Sequence, residues 1–261
     1  MTMFDPVEPS TDTPRLSMIL WGESGTGKTT LAATAPGKKL LLLLDPDGDM
    51  SIRSRKDYVK VSLFNLSIAD VINSAKKPDP FDLSATIVKH NIDTVIVDSL
   101  SRFSESALRY IIPLTHKASP ENPTPAGYGA RNLIVINFIN TMLQITYRLN
   151  KHIIFTTHEG APQTNDSGSV LSVSMMLGGQ LPGLASKDLS EVWNMSDMNG
   201  KKRIAFRPER LRTPVKTRIL DTSTDKTGFE WKYNDITNVG WTIDSVWQEY
   251  VKGNCAKVKS P

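Results

Sequence analysis

The sequence predicts a doubly wound α/β domain around a mostly parallel sheet. Short apolar stretches alternate with amphipathic ones, as in chains that fold into β-α-β units. Several of the apolar stretches, such as LLLLL at 40–44 and TVIVD at 94–98, are almost continuous, which is typical of parallel strands covered on both faces. A glycine-rich stretch at 22–29 separates the first predicted strand from the first predicted helix.

The predicted elements follow one another in this alternating order. Strands are expected at Leu16–Trp21, Lys39–Leu44, Thr94–Val97, Lys151–Thr157 and Glu191–Met195. Helices are expected at Lys28–Ala35, Pro80–His90, Ser101–Leu114, Asn132–Leu149 and Ile243–Lys252. The segments between residue 200 and the last helix are basic and β-like, and they predict a small β-rich addition.

We divide the chain into a flexible arm at 1–14, a core at 15–220 and a C-terminal β/helix extension with a basic tail at 221–261. The arm is rich in proline, and its Phe4 is either an anchor for a neighbouring copy or part of a disordered start. Two long segments, 115–131 and 159–188, interrupt the core. Structureless loops of this length are usually functional or disordered.

Composition excludes several classes of protein. The single cysteine, Cys255, cannot form an intramolecular disulfide and fits a reducing cytoplasm. The longest leucine run has five residues, whereas a membrane helix needs about 20 apolar residues. The first residues do not have the pattern of a signal peptide. We therefore expect a cytoplasmic protein without a membrane partner.

Positive charge is concentrated near the C-terminal end of the core. Residues 201–218 contain eight basic residues and one acid, a net +7, although the whole chain carries only +4. Such an excess is typical of a site for nucleic acid or for nucleotide phosphates. A solvated pair of basic strands is the alternative interpretation.

The stretch GESGTGKT at 22–29 matches the phosphate-binding pattern G-x-x-x-x-G-K-[ST]. Its context, after a strand and before a helix, is the one the motif requires. Glycines let backbone N–H groups surround the phosphates, the lysine reaches the β- and γ-phosphates, and the next hydroxyl binds Mg²⁺. The predicted ATP-binding residues are Gly22, Glu23, Ser24, Gly25, Thr26, Gly27, Lys28, Thr29 and Thr30.

Asp98 is the predicted second magnesium ligand, together with Thr29. It ends the apolar run TVIVD, and ligands of open α/β sheets bind at the carboxyl ends of the strands. Asp98 also precedes a predicted helix, so a helix N-cap is a second role that is compatible with the first.

Hydrolysis needs a group that orients or deprotonates water. Ser99 stands where many P-loop ATPases have a glutamate, so the carboxylate must come from elsewhere. The stretch DPDGD at 45–49 follows the second strand, and we choose Asp47 as the catalytic candidate. The same stretch has good turn chemistry, which is the alternative explanation.

The strand KHIIFTTHEG at 151–160 ends in polar residues. We expect Thr157 and His158 to face the γ-phosphate and place His158 with Lys28 and Asp47 among the catalytic candidates. A capping or loop histidine is the alternative for His158.

The ordered set GESGTGKTT, LLLLDPDGD, TVIVDSL, HIIFTTHE and PVKTR resembles the RecA-like ATPase core. More narrowly, it is similar to compact bacteriophage proteins that act as RecA-like recombinases or single-strand annealing proteins. The resemblance covers about residues 16–220. It implies an ATP- and Mg²⁺-dependent enzyme in which the fourth strand lies between the P-loop strand and the strand that carries Asp98.

The resemblance also implies partners and further site residues. ATP would lie between subunits of a homo-oligomer, with Lys216 and Arg218 acting in trans on the γ-phosphate. Loops 115–131 and 159–188 would line a path for single-stranded DNA, and a phage single-strand-binding or replication protein is a further expected partner. Asp47 falls where the family has a glutamate, and its shorter side chain predicts slow hydrolysis.

The sequence is compatible with three functions. The first is a DNA-dependent ATPase in phage recombination or replication, by annealing or strand exchange. The second is an ATPase directed at a protein partner, as in a helicase loader. The third is a small-molecule P-loop kinase, which is disfavoured because no arginine-rich lid follows the third predicted strand.

Overall fold

The computed structural model describes residues 14–114, 124–209, 211–220, 227–231 and 242–253. Ten strands lie within these ranges. They are β1 (Ser17–Gly22), β2 (Lys39–Leu43), β3 (Tyr58–Ser62), β4 (Thr94–Asp98), β5 (His152–His158), β6 (Gln163–Thr164), β7 (Val170–Ser172), β8 (Glu191–Met198), β9 (Lys201–Ala205) and β10 (Gly228–Glu230).

Seven α-helices connect or flank the strands in the described ranges. They are α1 (Lys28–Ala32), α2 (Ile68–Ala75), α3 (Leu83–His90), α4 (Leu100–Ile111), α5 (Pro125–Arg148), α6 (Leu181–Lys187) and α7 (Ile243–Val251). Short 3-10 turns lie at Met50–Ile52, Leu63–Asn65, Pro80–Asp82 and Ile112–Leu114.

Eight strands form one sheet in the order β10-β9-β8-β1-β5-β4-β2-β3. All neighbours from β8 to β3 are parallel, while β9 and β10 are antiparallel additions at one edge. The fold is therefore the predicted α/β class with a mostly parallel sheet. Strand β5 lies between the P-loop strand β1 and β4, which is the order that the resemblance implied.

Helices cover both faces of the sheet because its strands alternate apolar side chains between the two. Ile19 and Trp21 of β1 face one core, which α2 to α6 complete. Met18 and Leu20 face the other core, to which α1 and α7 contribute. Burial on both faces explains the near-continuous apolar runs of the central strands.

Two elements near the second strand were not predicted. Strand β3 is only partly buried because it lies at the edge of the sheet, so it lacks the apolar run that marks the central strands. Helix α2 begins after Ser67, whose side chain accepts a hydrogen bond from the Asp70 N–H. Ser67 is therefore the N-cap of α2. A serine at this position is a helix-start signal that could have been read from the sequence.

The long segments are more ordered than expected. Segment 159–188 contains the β6–β7 hairpin and α6, and Glu159 pairs with Met175 in a β-bridge. Helix α5 begins at Pro125 rather than at the predicted Asn132 because Thr124 caps it and proline suits the first helical turn. Part of segment 115–131 is thus helical, while 115–123 lies outside the described residues.

Within the described residues, the C-terminal extension meets the core through β10 and α7. Strand β10 adds to the main sheet through β9. The backbone N–H groups of Ile243 and Asp244 donate to the side chain and the carbonyl of Thr34, just after α1. Among the described residues, none of the helices has the length and apolar character that a membrane crossing requires. The predicted arm at 1–14 falls almost entirely outside the described residues.

Candidate nucleotide-binding site

The loop between β1 and α1 depends on glycine at two positions. A Cβ on Gly22 would lie 1.8 Å from the carbonyl oxygen of Met195 on the neighbouring strand β8. Only a residue without a side chain allows this approach. Gly27 precedes α1 with φ of 94°, a left-handed conformation that favours glycine. The motif glycines therefore have structural reasons independent of any ligand.

Lys28 lies folded back onto the loop. Its ammonium donates to the carbonyl oxygens of Gly22 at 3.0 Å and Glu23 at 2.7 Å, and the residue is 7% exposed. Burial lowers the pKa of Lys28 to about 8, although the carboxylates of Asp98, Glu159 and Glu23 oppose the shift. A buried cation at this position is ready to exchange carbonyl oxygens for phosphate oxygens.

Asp98 ends β4 and meets two hydroxyl groups. Thr29 Oγ1 donates to Oδ2 at 2.6 Å, and Thr156 Oγ1 of β5 donates to Oδ1 at 2.5 Å. Burial raises the pKa of Asp98, and these hydrogen bonds oppose the shift. The helix-cap role instead falls to Ser99, whose side chain accepts from the Arg102 N–H.

This oxygen set fits Mg²⁺. Hydroxyl and carboxylate oxygens are the hard ligands that Mg²⁺ takes together with nucleotide phosphates. Thr29 and Asp98 present two such oxygens 2.6 Å apart, beside the buried ammonium of Lys28. They would hold the ion, which would neutralise part of the negative charge of the nucleotide phosphates.

The three aspartates after β2 have different surroundings. Asp47 is 68% exposed on its side chain and pairs with Arg53 at 2.8 Å. Asp49 is buried and accepts from Lys60 and Tyr58 of β3. Asp45 accepts from Ser99 Oγ at 2.9 Å, and its charge contributes to the raised pKa of Asp98. Of the three, Asp45 is the one tied to the β4 terminus.

The end of β5 connects to the site through hydrogen bonds. Ser101 and Thr157 share a hydrogen bond of 2.5 Å, and the His158 N–H donates to Ser101 Oγ at 2.9 Å. His158 pairs in register with Gly22. Burial, followed by the charge of Lys28, lowers the pKa of His158. The polar end of β5 thus lies beside the P-loop, and the lowered pKa of His158 favours the neutral imidazole. That His158 faces the γ-phosphate stays a prediction.

An arginine that the sequence did not single out lies at the same place. Arg212 makes a bidentate contact with Glu159. Its Nε and one terminal nitrogen each donate to a different oxygen of the Glu159 carboxylate at 3.0 Å. The guanidinium is also 3.7 Å from Glu23 Oε1. The contact joins residues far apart in sequence, so motif spacing could not have revealed it.

Much of the basic segment is already paired within the chain. Lys201, Lys202, Arg203 and Arg212 form ion pairs with Glu230, Asp197, Glu209 and Glu159. Lys202 also donates to the Gly25 carbonyl of the P-loop at 2.9 Å. Arg210 is outside the described residues. The net charge therefore overstates the basic surface available for a polyanion.

Lys216 and Arg218 lie by the beginning of β8. Lys216 bridges Val192, and the Arg218 N–H donates to Glu191 at 2.7 Å. The P-loop instead approaches β8 at Met195, three residues further along. The pair is therefore displaced along the strand from the P-loop of its own chain.

The fold and this site define a P-loop nucleoside triphosphatase. The phosphate-binding loop, its lysine and the hydroxyl–carboxylate pair all lie at the carboxyl edge of a parallel sheet. A family model described as an AAA domain matches residues 15–229, and the chain belongs to this family of P-loop ATPases. A comparison with curated protein sequences found no match.

Proposed function

We propose that the protein binds Mg–ATP at the P-loop and hydrolyses it. The observation that carries this proposal is the hydrogen bond between Thr29 and the buried Asp98, next to the buried Lys28 of the phosphate-binding loop. Lys28 would bind the β- and γ-phosphates, while Thr29 and Asp98 would hold the metal. Asp47 and Asp45 are the two candidates for the carboxylate that orients water, the first from its sequence position and the second from its contacts.

We propose further that ATP binds between copies of the chain and that Lys216 and Arg218 act in trans. Their displacement along β8 from the P-loop of the same chain supports this arrangement. The proposal places a neighbour's cations where charge develops on the γ-phosphate during transfer. His158 would contact the same phosphate from within the chain.

The proposed substrate is single-stranded DNA, on which the protein would promote annealing or strand exchange in phage recombination or replication inside a bacterial cell. The order of motifs and the placement of β5 between β1 and β4 support this class. The local charge supports it only weakly. Arg131 is 7% exposed and bound to Asn132 and Gly178 within α5 and its surroundings, and Lys117 is outside the described residues.

An ATPase directed at a protein partner is the second candidate, and one observation favours it. The β6–β7 hairpin and the residues after it expose Val170, Leu171 and Met176 at 42%, 58% and 57%. Exposed apolar side chains on a segment that touches the ATP site are suited to a protein surface.

Fluorescence anisotropy of labelled single-stranded DNA distinguishes the two candidates. The DNA proposal expects binding that strengthens with a non-hydrolysable ATP analogue and weakens steeply with salt because phosphate neutralisation dominates. Lys28→Ala should remove the nucleotide dependence. Absence of binding at low salt, in a protein shown to bind ATP, would reject the DNA proposal and favour the protein-directed one.

A further inference from the structure

Two carboxylates and one arginine surround the lysine of the P-loop. The Glu159 N–H donates to the Gly22 carbonyl at 2.9 Å, and the same oxygen accepts from Lys28. The Glu159 side chain is 9% exposed, and Arg212 holds both of its oxygens at 3.0 Å. Glu23, within the loop itself, is 3.7 Å from the same guanidinium. Arg212 is thus beside the part of the loop that Lys28 occupies.

The same arginine joins three segments of chain. Its backbone forms bridges with Val173, which follows the β6–β7 hairpin, and with Glu209. Glu159 in turn bridges Met175. The ion pair therefore connects the hairpin segment, residues 160–178, to the P-loop. Loss of the ion pair would be expected to loosen the structure of this segment.

We infer that Arg212 is an additional phosphate-binding residue of the ATP site, and that it exchanges the Glu159 carboxylate for the terminal phosphate of the nucleotide. A terminal phosphate offers the same pair of oxygen acceptors as a carboxylate with more negative charge. Its arrival beside Lys28 also repels Glu159 and Glu23. Both effects favour transfer of the guanidinium to the phosphate and release of the hairpin segment. This inference rests on the proposed ATP site.

Arg212→Lys tests the inference because lysine keeps the charge and loses the bidentate geometry. ATP affinity should fall at least about tenfold, the scale of a charge-assisted hydrogen bond. ADP affinity should change little, since ADP lacks the terminal phosphate. Arg203→Lys is the matched control. Arg203 pairs with Glu209 in the same segment at 3.0 Å and, within the described chain, makes no hydrogen bond to residues 22–30.

Glu159→Gln provides a second test that does not remove the arginine. Freed from the carboxylate, Arg212 should bind the phosphate more readily, so ATP affinity should rise a few-fold while ADP affinity stays the same. Glu209→Gln is the control. Titration with fluorescent ATP and ADP measures these ratios, and circular dichroism checks that each variant is folded.

Hydrogen exchange at residues 160–178 measures directly whether the hairpin segment is released when Arg212 leaves Glu159. A non-hydrolysable ATP analogue should speed exchange in the wild-type protein, ADP should not, and Arg212→Lys should lose the difference. Equal losses of ATP and ADP affinity in Arg212→Lys, or no loss of either, would overturn the inference and leave Arg212 a structural residue. Failure of the proposed ATP site would give a different result from failure of the Arg212 inference. In that case the wild-type protein would bind neither ATP nor ADP, or Lys28→Ala would bind both with wild-type affinity.

Discussion

Replacing Asp98 with asparagine should stabilise the fold while weakening the magnesium site. The carboxylate is 7% exposed and accepts one hydrogen bond from each of two threonines. Both donors are hydroxyl groups, which can also accept. An asparagine can therefore accept from one threonine and donate to the other, so the number of hydrogen bonds is kept.

The expected magnitude follows from two opposing terms. Changing two charge-assisted hydrogen bonds into neutral ones costs about 1 kcal/mol each. Removing a buried charge recovers a desolvation penalty of several kcal/mol, part of which is offset by the lost attraction to the Lys28 ammonium. The free energy of unfolding should therefore rise by about 1–2 kcal/mol at neutral pH.

The pH dependence has a definite sign. Burial raises the folded-state pKa of Asp98, so the folded protein binds a proton that the unfolded chain has released. Wild-type stability therefore falls as pH rises from the ordinary aspartate pKa through the raised one. Above that pH window the charged carboxylate destabilises the fold. The free energy of unfolding of Asp98→Asn should not show this fall with pH, because asparagine does not ionise.

Urea unfolding of both proteins at several pH values measures the effect, with magnesium-dependent ATP binding measured in parallel. Glu191→Gln is the control. That buried carboxylate accepts from Trp193 Nε1 and the Arg218 N–H, which cannot become acceptors, so the amide should destabilise the fold. Any loss of stability in Asp98→Asn would refute the argument, since hydrogen bonding would then outweigh desolvation.

Three further predictions concern catalysis. Lys28→Ala should abolish ATP binding. The ATP affinity of the wild-type protein should fall as pH rises through the Lys28 pKa of about 8, because the neutral amine binds phosphate poorly. Calorimetry at pH 7, 8 and 9 measures the affinity, and an affinity that does not change with pH would contradict the prediction. If Asp45 orients the water, Asp45→Asn should lower kcat by about 10²-fold or more and keep the ATP affinity. A loss of kcat in Asp47→Asn alone would assign the role to Asp47. Single-turnover hydrolysis by the two variants distinguishes these outcomes. Arg218→Ala should leave ATP binding intact and slow hydrolysis by a similar factor, and normal turnover in an oligomer would exclude the trans role.

The sequence predicted the central part of the fold because its signals are local. Four of the five predicted strands end within a residue or two of the observed ones, since apolar runs such as 40–44 record burial on both faces. The fifth, β8, extends to Met198 and continues into an antiparallel pair with β9. The phosphate-binding loop was predicted for a similar reason, since its residues are contiguous.

The remaining features depend on contacts between distant segments. Edge strand β3 has no apolar run, and the β6–β7 hairpin is exposed, so neither has a strong periodic signal. Arg212 meets Glu159 across 53 positions, which no local spacing reveals. The contrast between Asp45 and Asp47 arises from the fold of the loop after β2, where Asp47 adopts a positive φ of 57°.

Steady-state ATP hydrolysis with and without single-stranded DNA, at two salt concentrations, shows whether the enzyme is a DNA-dependent ATPase. We expect magnesium-dependent turnover that Lys28→Ala abolishes. Single-stranded DNA should stimulate this turnover, and high salt should suppress the stimulation. Turnover that depends on Lys28 but does not respond to DNA at either salt concentration would contradict the DNA-dependent function and direct attention to a protein partner of the hairpin segment.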